Sequence, residues 1–212
     1  MTNLARTERL RLVAAARRAG EDAPTLCEGW TVRDLATHLV VRERHPAAAL
    51  GYFLPKFEGR RDEQEAEYAA MPFSSLLGLV ASPPKWTPGG WPGVEFAMNT
   101  TEYIVHHEDI RRAEIEWFPR RLSVEDNKTV WTQCRVALLA FAAKADGPVE
   151  ISSPGFGTRS AGRKKGAGKK GSTGKKGSTG KSSAGPIAIT GQPVEILLYL
   201  MGREEHALVD VR

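Results

Sequence analysis

The sequence predicts a mainly α protein, a helical bundle followed by a small α+β module. Three observations carry that expectation. Apolar residues recur at three- and four-residue spacing through several long segments. Capping residues, prolines and glycines mark where those segments begin and end. Near Asp146 the pattern gives way to short runs of strand character. Residues 1–145 are therefore assigned to the bundle and 146–212 to the small module.

The first helix is expected from about Asn3 to Arg18, with Leu10, Val13 and Ala14 on one face and Gly20 as its stop. A loop through Pro24 and Gly29-Trp30 leads to Thr31, which with Asp34 approximates a capping box. That helix continues through Leu35, His38 and Arg42 to Pro46, and Ala47 to Tyr52 resumes as a short turn or a separate helix. Glu63 to Ala70 is polar and helix-prone, and Phe73 to Val80 offers an apolar face. Ser82 to Gly93 reads as loop, with Trp86 and Trp91 either covering a cleft or anchoring the loop. Glu95 to Ala113 is a long helix carrying Phe96, Tyr103, His106 and Ile110. Ser123 caps another that runs to Lys144, with Val130, Val136, Leu138, Leu139 and Phe141 as its stripe. Pro148 to Ser153, Pro186 to Thr190 and Ala207 to Val211 read as strands, and Pro193 to Gly202 as a helix.

Composition narrows the function classes. Hydrophobic residues at 41% and charged residues at 26% are ordinary globular values and exclude wholesale disorder. The longest apolar run, Val136 to Ala143, is too short to cross a bilayer, and arginines interrupt the N-terminal segment where a signal peptide needs an apolar centre. Two cysteines, Cys27 and Cys134, are too few for a disulfide framework, so a cytoplasmic setting is expected. The net charge of +5 is unevenly spread: nine basic and no acidic residues lie between Ile151 and Val194, which leaves the remainder net negative by four.

Much of that basic charge sits in a Lys/Gly/Ser-rich insert at about 158–185, which contains the direct repeat GKKGST at Gly168–Thr173 and Gly174–Thr179. With so few apolar side chains it is expected to be mobile. It has two readings: a solvated loop, or a salt-dependent, non-specific nucleic acid contact through Arg163–Lys181. It has no aromatic side chain with which to stack on bases.

Glu102 and His106 are four residues apart, which on a helix places them on one face with Cβ atoms about 6 Å apart. Both can ligate one cation, and His38 completes the set if the two helices face each other. Two imidazoles and a carboxylate suit a divalent ion such as Zn2+ and leave a position open, the mark of a catalytic rather than a structural site. His107 is rotated by about 100° from His106 and is expected to be structural or exposed. Asp109 either accepts the second N–H of His106 or is an exposed carboxylate paired with Arg112. His45 suits a helix end, and His206, beside two glutamates, the surface. Cys27 either lines the cleft or is a small packing residue; Glu28 beside it does not favour a thiolate. Cys134 reads as a buried residue.

Thr25 to Glu43 together with Asn99 to Ala113 resembles the mycothiol-dependent maleylpyruvate isomerase family of the DinB-like metal-binding superfamily. Trp30, Thr31, Asp34, Leu35 and His38 match its first motif, and Glu102 and His106 its second. Gly191 to Arg203 is similar to the small second domain of such proteins. The resemblance implies a DinB-like four-helix bundle and a divalent metal held by His38, Glu102 and His106. It also implies mycothiol or another small thiol as co-substrate, with chemistry of the isomerase or S-transferase kind on a small electrophile. It leaves open the substrate, the oligomeric state and whether the protein is catalytic. A contrasting possibility is a non-catalytic scaffold tethered to nucleic acid by the basic repeat.

Overall fold

The structure is a computed structural model that describes residues 4–82, 84, 92–162 and 186–212, without the side chains of 92–98. Trp86, Trp91 and the basic repeat lie outside the described residues. The chain divides into two compact units, Met1–Arg121 and Leu122–Arg212. That boundary falls before the last long helix, not near residue 146, because the apolar face of that helix packs on the C-terminal helix and strands.

In the first unit, α1 (Leu4–Ala19), α2 (Val32–Arg44), α5 (Phe73–Ala81) and α6 (Pro92–Arg111) form the bundle. Leu12, Val13 and Ala16 of α1 meet Leu35, Ala36 and Leu39 of α2, Leu76, Leu77 and Val80 of α5, and Tyr103 and Ile110 of α6 in one core. Between α2 and α5 the chain makes an excursion. It passes through α3 (Pro46–Ala49), two 3-10 turns at Leu50–Tyr52 and Pro55–Phe57, and α4 (Glu58–Ala69), which packs on α2 without burying a residue of its own. The α2 cap is complete: the Thr31 hydroxyl accepts from the Asp34 amide, and the Asp34 carboxylate accepts from the Thr31 amide.

The face of α1 departs from the expected stripe. Leu10 is 51% exposed and Ala14 also faces outward, while Glu8 and Arg9 are fully buried. Arg9 makes a bidentate pair with Glu43 at 2.7 Å to each oxygen, and its guanidinium lies 4.3 Å from the Tyr103 ring centroid. Glu8 bonds Arg11, Arg120 and His107. Burial works to raise the Glu8 pKa, but these partners hold it down to about 2. The helix therefore turns a charged face inward because each charge finds a buried partner.

The second unit begins with α7 (Val124–Lys144), whose Ser123 cap accepts from the Asp126 amide. Its buried face is Val130, Trp131, Cys134, Ala137, Leu138 and Ala142; Val136 and Leu139, expected in the stripe, are 69% and 58% exposed. Four strands follow the order β2-β1-β3-β4: β1 (Val149–Ser153), β2 (Gly157–Ala161), β3 (Ile187–Gly191) and β4 (Val209–Val211). β1 and β3 are parallel, with antiparallel β2 and β4 at the edges. α8 (Pro193–Leu200) packs on α7, with Ile196, Leu197 and Leu198 buried. Residues 158–161, expected to begin the insert, instead belong to β2. Gly155 and Gly157, at φ of 82° and 97°, supply the tight return from Ser153 that starts this strand.

Gly51 sets the path of the excursion. A Cβ there would lie 2.7 Å from the Phe57 carbonyl oxygen and 2.8 Å from the Arg61 Cβ, whereas one at Gly59 would meet nothing within 4 Å. Gly51→Ala is expected to cost about 1–3 kcal/mol by forcing that backbone apart. Gly59→Ala, in the exposed helix, is expected to gain up to about 1 kcal/mol. Urea denaturation of the two variants checks this, and equal midpoints would contradict it.

Candidate metal centre

The loop before α2 is braced within itself and against α6. The Thr25 amide donates to the Trp30 carbonyl at 3.1 Å, the Trp30 amide to the Cys27 carbonyl at 2.9 Å, and the Leu26 amide to the Asp109 carbonyl at 3.0 Å. Gly29, at φ 75°, permits the turn. This loop delivers Trp30 and Cys27 toward α6, and the α2 cap fixes the start of the helix that carries His38.

His38, Glu102 and His106 come together. His106 Nε2 lies 3.5 Å and His38 Nε2 4.0 Å from the same Glu102 oxygen, Oε2. One donor atom from each of the three fits within a 4.8 Å separation. The imidazoles stand edge to face at 5.4 Å between centroids, and the His38 ring also packs on Trp30 at 5.1 Å and Tyr52 at 4.4 Å. Two ligands each about 2.1 Å from a tetrahedral ion stand about 3.4 Å apart, so a small inward movement of His38 brings this set to coordination spacing.

The surroundings suit that donor set. Asp109 is fully buried and its Oδ2 lies 2.9 Å from His106 Nδ1, which directs Nε2 toward Glu102. This is the inward of the two roles open to Asp109; Arg112 Nε donates to Glu108 Oε2 at 2.7 Å. Cys27 is half-buried, with Sγ 3.3 Å from the same Asp109 oxygen and 4.0 Å from His106 Nδ1. His38 Nδ1 is buried and has no hydrogen-bond partner among the described residues.

Charge is distributed unevenly over the three. Burial works to raise the Glu102 pKa, but His106, His38 and Arg42, whose Nε is 3.5 Å from Oε2, hold it well below the usual carboxylate range. Burial opposes charge on His106, yet its bonds to Asp109, Cys27 and Glu102 keep its pKa well above the ordinary value. For His38 burial prevails and the pKa falls. These surroundings thus favour an ionised Glu102, a charged His106 and a neutral His38.

The remaining histidines are occupied elsewhere. His107 is buried against Glu8, with Nδ1 to Oε2 at 3.0 Å, and His45 Nε2 lies 2.9 Å from the Tyr68 hydroxyl. His206 is half-buried rather than fully exposed. Sequence reasoning passed over two residues that build the site. Arg42 follows His38 by four on α2, a readable same-face signal, and donates to Asn99 at 2.7 Å as well as facing Glu102. Tyr52 reaches His38 through a 3-10 turn, for which the sequence carries no periodic cue.

The bundle and this ring of imidazole and carboxylate groups define a helical protein with a metal-capable centre. Residues 3–82 match the family model of the mycothiol maleylpyruvate isomerase N-terminal domain, the similarity that this stretch of the chain shows. The matched stretch contains the Trp30-to-His38 motif; Glu102 and His106 lie beyond it. No curated protein and no solved structure matches the chain.

The hydrogen bond from His106 to Asp109 has a direct consequence in cation-free protein. Proton-detected NMR across pH is expected to find His106 still charged above pH 6.5 and His38 neutral there. Asp109→Asn removes an acceptor that favours the charge, so the His106 midpoint falls by about one unit or more. An unchanged midpoint would contradict the role given to Asp109.

Proposed function

We propose that this protein is a divalent-metal-dependent enzyme that activates a low-molecular-weight thiol toward a small electrophile. The reaction belongs to the isomerase or S-transferase class, and mycothiol is the thiol to which the family points. The observation that carries the reading is the meeting of His38 from one helix with Glu102 and His106 from another around a shared point. These three residues would hold the ion, with Zn2+ the best match to a borderline N2O donor set. When bound, such a cation lowers the pKa of a coordinated thiol or water and so supplies a nucleophile at neutral pH.

The chain's own residues prepare that chemistry. Asp109 holds the Nδ1 proton of His106 and leaves Nε2 as the ligating atom. Arg42 keeps Glu102 ionised and limits its rotation. Trp30 and Tyr52 wall the His38 ring and shield it from solvent, which strengthens electrostatic interactions at the site. Asn99 bridges from Arg42 to Glu43, which Arg9 and Tyr103 also engage, so the ligand helices are tied through a buried polar network. A cytoplasmic setting accords with the thiol; among the described residues no helix is long and apolar enough to cross a membrane.

Metal analysis of the purified protein tests the reading. About one equivalent of divalent metal is expected, falling at least tenfold in His38→Ala and in His106→Ala. Mycothiol is expected to raise the melting temperature of the metal-loaded protein only; at about 100 times its Kd a ligand adds about 2.7 kcal/mol. Metal retained in both variants would overturn the ligand assignment, and a thiol effect independent of metal would overturn the thiol chemistry.

A further inference from the structure

His106 presents two nitrogens to two different sets of ligating atoms. Nε2 faces Glu102 and His38, while Nδ1 faces Asp109 Oδ2 at 2.9 Å and Cys27 Sγ at 4.0 Å, with Sγ and Oδ2 3.3 Å apart. We propose that Cys27, Asp109 and His106 Nδ1 form a second cation site, selective for a soft ion, whose occupation excludes an ion from the first.

The separations fit such a site. Sulfur and nitrogen or oxygen ligands about 2.0–2.3 Å from a four-coordinate ion stand about 3.3–3.7 Å apart, and the three observed distances bracket that range. The set is also held in place. The Leu26 amide bonds the Asp109 carbonyl, and the Cys27 carbonyl accepts from the Trp30 amide, so the cysteine backbone is fixed on both sides. Asp109 is buried and brings a negative charge, while the half-buried Cys27 gives a route from solvent. A thiolate and a carboxylate together balance the charge of a divalent ion. A thiolate in the set favours ions such as Cd2+ or Cu+ over Mg2+ or Mn2+.

Proton bookkeeping makes the two sites exclusive. An ion on this set displaces the Cys27 S–H proton and the His106 Nδ1 proton, both of which pass to solvent. The neutral imidazole then keeps its one proton on Nε2, where it points at Glu102 Oε2, 3.5 Å away. Nε2 has no lone pair left for a second ion. A soft metal held by Cys27 therefore removes His106 from the His38 and Glu102 set, which makes the protein sensitive to thiophilic metals.

The site stands independently of the proposed enzymatic activity, and a Cd2+ titration of the full chain separates the two. Cys134 is fully buried and is replaced by alanine to remove its thiol from the spectrum. One equivalent of Cd2+ is expected to produce a saturable thiolate-to-metal charge-transfer band in the ultraviolet. The band persists in His38→Ala and weakens at least 100-fold in apparent affinity in Cys27→Ser, a mild change at a half-buried position. Protein preloaded with Zn2+ releases it as Cd2+ binds, so total metal stays near one ion per chain. A band that survives Cys27→Ser, a band absent from the parent, or two ions retained together would overturn the proposal. A Cd2+ band in protein that never binds Zn2+ supports this site while removing the first.

Discussion

A helix that carries His106, His107, Glu108 and Asp109 into the interior of a bundle, with Arg112 just past its end, must satisfy each of those buried groups from within the protein. This constraint organises the first unit. Glu108 takes Arg111, Arg112 and Arg120; His107 takes Glu8; and Asp109 takes His106 and Cys27. The cost of leaving any of these unpaired in a low-dielectric interior exceeds what a surface pair is worth. The pairing accordingly dictates which face of α1 turns inward and where the loop before α2 must run.

Much of this was legible in the sequence. Helical periodicity and caps located α1, α2, α6 and α7 to within a few residues, and the Thr31–Asp34 cap appears as read. The spacing of Glu102 and His106 placed them on one face, His38 was the third candidate if the two helices met, and the resemblance implied the same three. Long-range charge pairing left no periodic trace. Leu10 seemed the better core residue than Arg9 because nothing nearby in sequence announces that Arg9 will find Glu43, thirty-four residues on. β2 was hidden for another reason: Gly157 to Ala161 is short, polar and half-exposed, and only pairing with β1 makes it a strand. The grouping of α7 with the second compact unit was not legible either, because α7 looks like one more bundle helix until its partner α8 is known.

Within the candidate centre, the proposed function rests on how one imidazole is held. Asp109 fixes the proton on one side of His106, which frees the other side to ligate, and Arg42 performs the matching service for Glu102. The same Asp109 oxygen also holds Cys27, so the device that orients the ligand places a thiol within reach of the opposite nitrogen. With both proposed sites, choice of metal and choice of tautomer become a single equilibrium. In that scheme a borderline ion would favour the pair of imidazoles and a thiophilic ion the cysteine.

The most direct test of the central claim is a crystal structure of the Zn2+-loaded protein with anomalous diffraction collected at the zinc edge. One strong peak is expected, bounded by His38 Nε2, a Glu102 carboxylate oxygen and His106 Nε2. A peak elsewhere, or an imidazole of His38 turned away from His106, would contradict it.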